Sequence, residues 1–182
     1  MSAKTITLDA HVARYIASAV LPAVSRDDIT PVLTGAHFSM EDGQLRVTSS
    51  DRYRAHTVIV RPNDRVPKEL DVIVPRQALT WITKNAGVFS RSRSPYTPVV
   101  RMRFTEDRFP PVIRLIVKAR DAETEPVEGN LRTDYLASVS AISDGVRAAH
   151  IKFTKGENDR LGPVYIRSGV AEAILQPTGE QA

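Results

Sequence analysis

Residues 30–56 read TPVLTGAHFSMEDGQLRVTSSDRYRAH, and two alternating runs within that stretch decide the fold. Ala36 to Met40 alternates, Asp42-Gly43 follows, and a second alternating run begins at Leu45. A side-chain period of two marks strands, and Asp-Gly between two such runs marks a tight hairpin whose central residues tolerate positive φ. After Ser50-Asp51-Arg52-Tyr53-Arg54 the chain re-enters extended sequence. The expectation is a three-strand meander at about 35–41, 44–50 and 54–61.

Working outward, Thr5 to Leu8 reads as a short strand and Asp9 as the N-cap of a helix over 11–24, with Val12, Ile16, Val20 and Ala23 at helical spacing. Pro22 ends or kinks that helix. Segment 62–68, RPNDRVP, is a surface connection. The pattern then restarts. Glu69 to Val74 is a strand, and Pro75 opens a helix that Asn85-Ala86-Gly87 stops near 86, with Trp81 read as core beside Ile82. A basic loop at 90–98 carries Arg91 and Arg93, strands follow near 98–106 and 111–120, and 121–126 is an acidic loop. A third restart at Val127 gives a helix over 132–142 and strands near 147–154, 163–168 and 171–177. The fold class is therefore α+β: a helix plus an antiparallel β-meander, written three times. Residues 1–126 hold two units (1–68 and 69–126), and 127–182 hold the third.

The 182 residues suffice for a proper core. No run of apolar residues is long enough to span a membrane. The start, MSAKTITLDA, lacks a signal-peptide pattern, and the chain has no cysteine, so the expected compartment is the cytoplasm. A net charge of +4 permits a nucleic-acid partner without requiring one, because 25 basic residues face 21 acidic ones. His11, His37, His56 and His150 are scattered, which argues against a metal site, and no nucleophile-elbow or P-loop pattern occurs. Glu41-Asp42, Glu106-Asp107 and Glu157-Asn158-Asp159 fall where hairpin turns are expected. No enzyme, metal or cofactor is expected.

The 30–56 stretch resembles the "RPVLTG … DG.L.L.ATDGYRLA" signature of the bacterial sliding clamp, the beta subunit of DNA polymerase III. Val72-Ile73-Val74-Pro75-Arg76 with Ala78-Leu79 is similar to its "VIVPRKAL", and Asp134-Tyr135-Leu136 to its "YLLDAL" helix start. The close of the chain, Gly162 to Arg167 and then Ala173 to Pro177, resembles the clamp C-terminus. The chain departs from the family at Ser50-Asp51-Arg52, where clamps have Thr-Asp-Gly, and in its tail, which lacks Met-Pro-Met-Arg-Leu.

The resemblance implies the DNA-clamp (processivity) fold and a sliding clamp that encircles duplex DNA irrespective of sequence and docks DNA polymerase and other clamp-binding-motif proteins, with a clamp loader as a further partner. A ring of roughly twelve units would take four copies of a three-unit chain, so a homotetramer is expected, with one domain completed across a subunit boundary. The short chain suggests a phage version. The DNA-facing candidates are Arg14, Arg76, Lys84 and Arg132, on or beside the three helices. Carried over from the family, the partner-peptide pocket falls on Leu33, Ser50, Arg52, Tyr53, Arg54 and Ala55, with Ile174, Gln176, Pro177 and Thr178. Leu33, Ile174 and Pro177 would give apolar wall and Arg54 would donate to peptide carbonyls; Leu33 and Ile174 as plain core is the competing reading. The alternative function is a clamp-fold interaction protein, a mimic or modulator that binds the replication machinery without encircling DNA.

Overall fold

A computed structural model describes residues 4–62, 67, 69–89, 99–104, 131–143, 149–156 and 160–178. The basic loop at 90–98, the strand expected at 111–120, the acidic loop at 121–126 and the turns at 106–107 and 157–159 lie outside the described residues.

The first unit follows its sequence closely. β1 (Lys4–Asp9) leads into α1 (Ala10–Val20), and a 3-10 turn at Leu21–Ala23 takes over where Pro22 sits. Asp9 occupies the N-cap position, but its side chain makes no capping hydrogen bond. β2 (Gly35–Glu41), β3 (Gln44–Ser50) and β4 (Arg54–Val60) form the meander. The β2–β3 hairpin turns on Asp42 and Gly43, both with positive φ (49° and 73°), as a type I′ turn requires. The second unit is β5 (Asp71–Pro75), α2 (Arg76–Phe89) and β6 (Val99–Phe104). The third is α3 (Thr133–Ser138), a 3-10 turn at Val139–Ile142, then β7 (His150–Lys155), β8 (Leu161–Ser168) and β9 (Ala171–Leu175).

Strand pairing shows how the units join. β5 pairs with β2, and β1 pairs with β6, both antiparallel. Each of the first two units thus lends its opening strand to the first meander strand of the other. α1 and α2 pack against one another over this exchange. Alanines at 10, 13 and 17 on the buried side of α1 allow close approach, while Ile16, Val20, Leu79 and Ile82 fill the core. Phe38, 1% exposed, anchors the sheet beneath; burial of such a side chain is worth about 2–3 kcal/mol. The third unit attaches elsewhere: β9 pairs antiparallel with β4, Ala55 opposite Ile174, so that among the described residues seven strands are ordered β5-β2-β3-β4-β9-β8-β7 in one sheet.

The sheet adds side-chain donors to the last carbonyls of α1: Ser49 Oγ donates to the Val20 carbonyl at 2.6 Å, and the His56 Nδ1–H donates to the Ala19 carbonyl at 2.6 Å. Tyr15 donates its hydroxyl to the Ile142 carbonyl at 3.0 Å, which ties α1 to the third unit.

Two expectations need correction. Trp81 is not core but 58% exposed, because Leu79, Ile82 and Ala86 take the buried face of α2 and Trp81 lies about 100° from Ile82 around the helix. Asn85-Ala86-Gly87 does not stop α2, which continues to Phe89. Glycine inside a helix costs only about 1 kcal/mol relative to alanine, and Asn85 Nδ2 donates back to the Trp81 carbonyl at 2.8 Å within the helix.

Candidate functional site

The turn entering β4 is built by two short polar side chains. Asp51 Oδ1 accepts from the Tyr53 and Arg54 amides (3.2 and 3.0 Å), and its Oδ2 accepts from Arg54 Nε at 2.8 Å. Ser50 Oγ donates to the Arg54 carbonyl at 2.9 Å and accepts from the Arg52 amide. Arg52 stands at φ 79°, the left-handed region where the related signature has glycine. A non-glycine residue there costs roughly 1 kcal/mol. In return its guanidinium donates to Thr30 Oγ1.

This turn forms one wall of a cleft of about 650 Å³. Pro22, Val24, Ser25, Arg26 and Asp27, which follow α1, form the second wall, Arg76 at the head of α2 lies beside them, and Arg132, Asp134 and Tyr135 at the head of α3 form the third. Tyr135 is its pivot. Its ring stacks on Tyr53 with centroids 6.4 Å apart, and the Arg54 and Arg132 guanidinium carbons each lie 4.7 Å from its centroid. Cation–π contacts of this kind add attraction that a simple apolar contact lacks. Arg54 is held by Asp51, and Arg132 by Asp134 at 2.9 Å. Five arginines face three aspartates, so the lining carries a surplus of two positive charges. Arg76 donates Nη1 to the Val24 carbonyl at 3.0 Å, and burial together with Arg26 and Arg54 holds its guanidinium below the ordinary arginine value. Burial, and then Asp51, push the Tyr135 phenol up. The cleft suits a ligand with an apolar or aromatic anchor and a carboxylate.

Of the residues expected to form the peptide pocket, Arg52, Tyr53 and Arg54 line this cleft, with Tyr53 59% exposed. Ser50 is buried and shapes the turn. Ala55 and Ile174 are buried with Tyr165 in a small cluster on the opposite sheet face from the main core. Leu33 is half-buried on the 3-10 turn Pro31–Leu33, outside the lining. Gln176 donates its amide to the Tyr53 carbonyl at 2.7 Å, and Gln176, Pro177 and Thr178 run half-buried past the end of β9. Arg76 and Arg132, expected to face DNA, stand in the cleft, whereas Arg14 on α1 and Lys84 on α2 are exposed on the two packed helices. Sequence reasoning missed Val24 to Asp27 as cleft wall. Only the Arg-Asp pair at 26–27 after the proline hinted at it.

Beneath the cleft, burial pushes the His56 imidazole down to about 4, against a smaller upward pull from its bond to Ala19. The unfolded chain therefore binds this proton more tightly than the folded one. Stability is full above about pH 6.5 and falls as the pH drops toward about 4, by roughly 3 kcal/mol from this group. Urea midpoints measured across that window should decline, and an imidazole titration by NMR should find His56 unprotonated at pH 5.5. A normal titration near 6.5 would contradict the burial argument.

Comparison with known proteins adds the following. The family described as DNA polymerase III beta subunit, central domain, matches residues 7–87. A beta sliding clamp of Halalkalibacterium halodurans is 38% identical over 64 residues, which are 34% of this chain and 17% of that protein. Among solved structures, the Bacillus subtilis DNA polymerase sliding clamp superposes with a TM-score of 0.69 at 14% identity, over 96% of this chain and 64% of that one. The Pseudomonas aeruginosa DNA polymerase III subunit beta gives 0.72 at 11% identity, over 97% and 66%. A Bartonella birtlesii sliding clamp solved bound to griselimycin gives 0.73 at 14%, over 97% and 66%. The chain thus covers less than two thirds of each of these relatives, whose likeness establishes the fold.

Proposed function

We propose that the chain is a member of the DNA polymerase III beta-subunit family and works as a sliding clamp: a closed homo-oligomeric ring, a tetramer, that encircles duplex DNA and docks replication proteins. The family is one of non-enzymatic processivity factors, and its members act by topology and docking. The observation that carries the proposal is the seam between β4 and β9, where the third unit docks on the first and the arginine-lined cleft opens. In this reading residues 1–126 form a two-unit domain (1–68 and 69–126) and 127–182 a third unit. The exchange of opening strands between the first two units supports that division. The cleft, with Arg52, Tyr53, Arg54 and Tyr135, receives a short segment of a polymerase or another clamp-binding protein, and a clamp loader opens the ring. The protein works in the cytoplasm. Among the described residues no helix is long and apolar enough to cross a membrane.

DNA runs along the helix pair α1 and α2, past exposed Arg14 and Lys84. Contacts to phosphate through such side chains are sequence-independent and weaken with salt. Reversing both charges, Arg14→Glu with Lys84→Glu, should weaken binding to a mixed-sequence duplex by roughly tenfold and flatten its salt dependence by about two ions. Unchanged affinity and slope in a folded double variant would move DNA to another face.

A further inference from the structure

The chain has a single tryptophan, and it stands in solvent: Trp81 is 58% exposed on α2. An indole offers a chain one of its largest apolar gains on burial, so a tryptophan left in water is an unusual use of that residue. Its neighbours define a stripe. Gln77 lies four residues before it and Lys84 three after, so the three share one helix face, and all are exposed. Across the helix pair, α1 exposes His11 and Arg14. Neither helix contains an aspartate or glutamate, whereas together they carry Arg14, Arg76 and Lys84. The ring also sits on firm backbone. Leu79 and Ile82 on either side are buried, and Thr80, Thr83 and Asn85 each donate to a carbonyl one turn back along the helix.

A helix pair of one charge sign with a bare aromatic ring fits a polyanion that presents flat rings of its own. We infer that Trp81 is a stacking platform for unpaired bases, so that this face holds a single-stranded stretch of DNA more tightly than duplex. The inference rests on the DNA-facing reading of α1 and α2 above and adds a strand preference to it. In a duplex each base face is covered by the next base pair, which leaves a side chain only phosphates, sugars and base edges. Arg14 and Lys84 reach phosphates on either kind of strand. An indole gains its full contact only where bases are unpaired and can turn out onto it, as at a gap. Every base has such a face, so the preference is for strand state and not for sequence.

Because Trp81 is the only tryptophan, the intrinsic fluorescence of the full chain reports on this ring alone. Oligothymidylate, and a short duplex interrupted by a single-stranded gap, should quench it; the same duplex unbroken should bind with little quenching. By anisotropy of labelled DNA, Trp81→Ala should weaken binding of the gapped DNA by roughly tenfold and leave duplex affinity unchanged. Trp81→Phe, which keeps a ring, should fall between. The site is exposed and alanine favours helix, so circular dichroism should not change. Equal quenching by gapped and unbroken duplex, or wild-type affinity of Trp81→Ala for gapped DNA, overturns the inference. So does emission that shifts when the protein alone is diluted, which would seat a second copy on the ring. Arg14→Glu with Lys84→Glu separates the two ideas. Duplex binding weakened by that reversal, with Trp81→Ala indifferent to the gap, sinks the stacking alone. Binding of both DNAs untouched by the reversal takes DNA off these helices and sinks the two together.

Discussion

Tyr135→Ala should lower the stability of the folded chain by about 3 kcal/mol and weaken binding of a docking peptide by at least roughly tenfold, the largest functional loss of any single substitution in the cleft. The ring is 7% exposed, belongs to the main apolar core, and is the surface on which Tyr53, Arg54 and Arg132 are ordered. Removing it leaves a cavity under the cleft and frees two guanidiniums from their fixed places. The check is a chemical-denaturation curve alongside fluorescence anisotropy of a labelled peptide with two apolar anchors and a carboxylate. Tyr135→Phe keeps the ring and should stay near wild type in both. If Tyr135→Ala bound the peptide as tightly as Tyr135→Phe, the cleft would not be the docking site.

The second large effect is purely structural. A Cβ on Gly35 would overlap Ile73 Cγ2 and come within 2.5 Å of the Val74 carbonyl oxygen. Gly35 faces Pro75 in the β2–β5 ladder, so the obstruction includes backbone of the strand that joins the first two units. Backbone cannot give way as a side-chain tip can. Gly35→Ala should therefore cost about 3 kcal/mol and should raise amide exchange in β5 and the start of α2 before the rest of the sheet. Wild-type stability in this variant would mean that β2 and β5 are not pressed together as described.

These two residues also mark how far the sequence could be read. Gly35 sits in the stretch whose alternation and Asp42-Gly43 turn announced the meander, and all three strands lie within a residue of where the pattern puts them. Local signals succeed there because strand period and turn chemistry are local physics. The same holds for Pro22, which hands α1 over to a 3-10 turn. Trp81 fails for a related reason: helical spacing identifies a buried stripe, but one residue's step around the helix separates Ile82 in the core from Trp81 in solvent. The cleft was legible only in part. Arg52, Tyr53 and Arg54 came from the family signature, but their partners at 22–27 come from the packing of the turn after α1 on β3 and β4. Those at 132–135 arrive with the third unit through the β4–β9 pairing, a join between residues more than a hundred positions apart that no short-range pattern encodes. Arg52 is the instructive case. A glycine position filled by arginine looks like a broken turn, yet the backbone keeps the left-handed conformation because Ser50 and Asp51 hold both flanks.

The central claim is that copies of this chain close into a ring around DNA. Negative-stain electron microscopy of the purified full chain at low salt tests it most directly. Closed particles of a single class, with a central opening wide enough for duplex DNA and the mass of an even number of chains, are the expected result. Compact particles without an opening, at every concentration and in the presence of duplex, would contradict it.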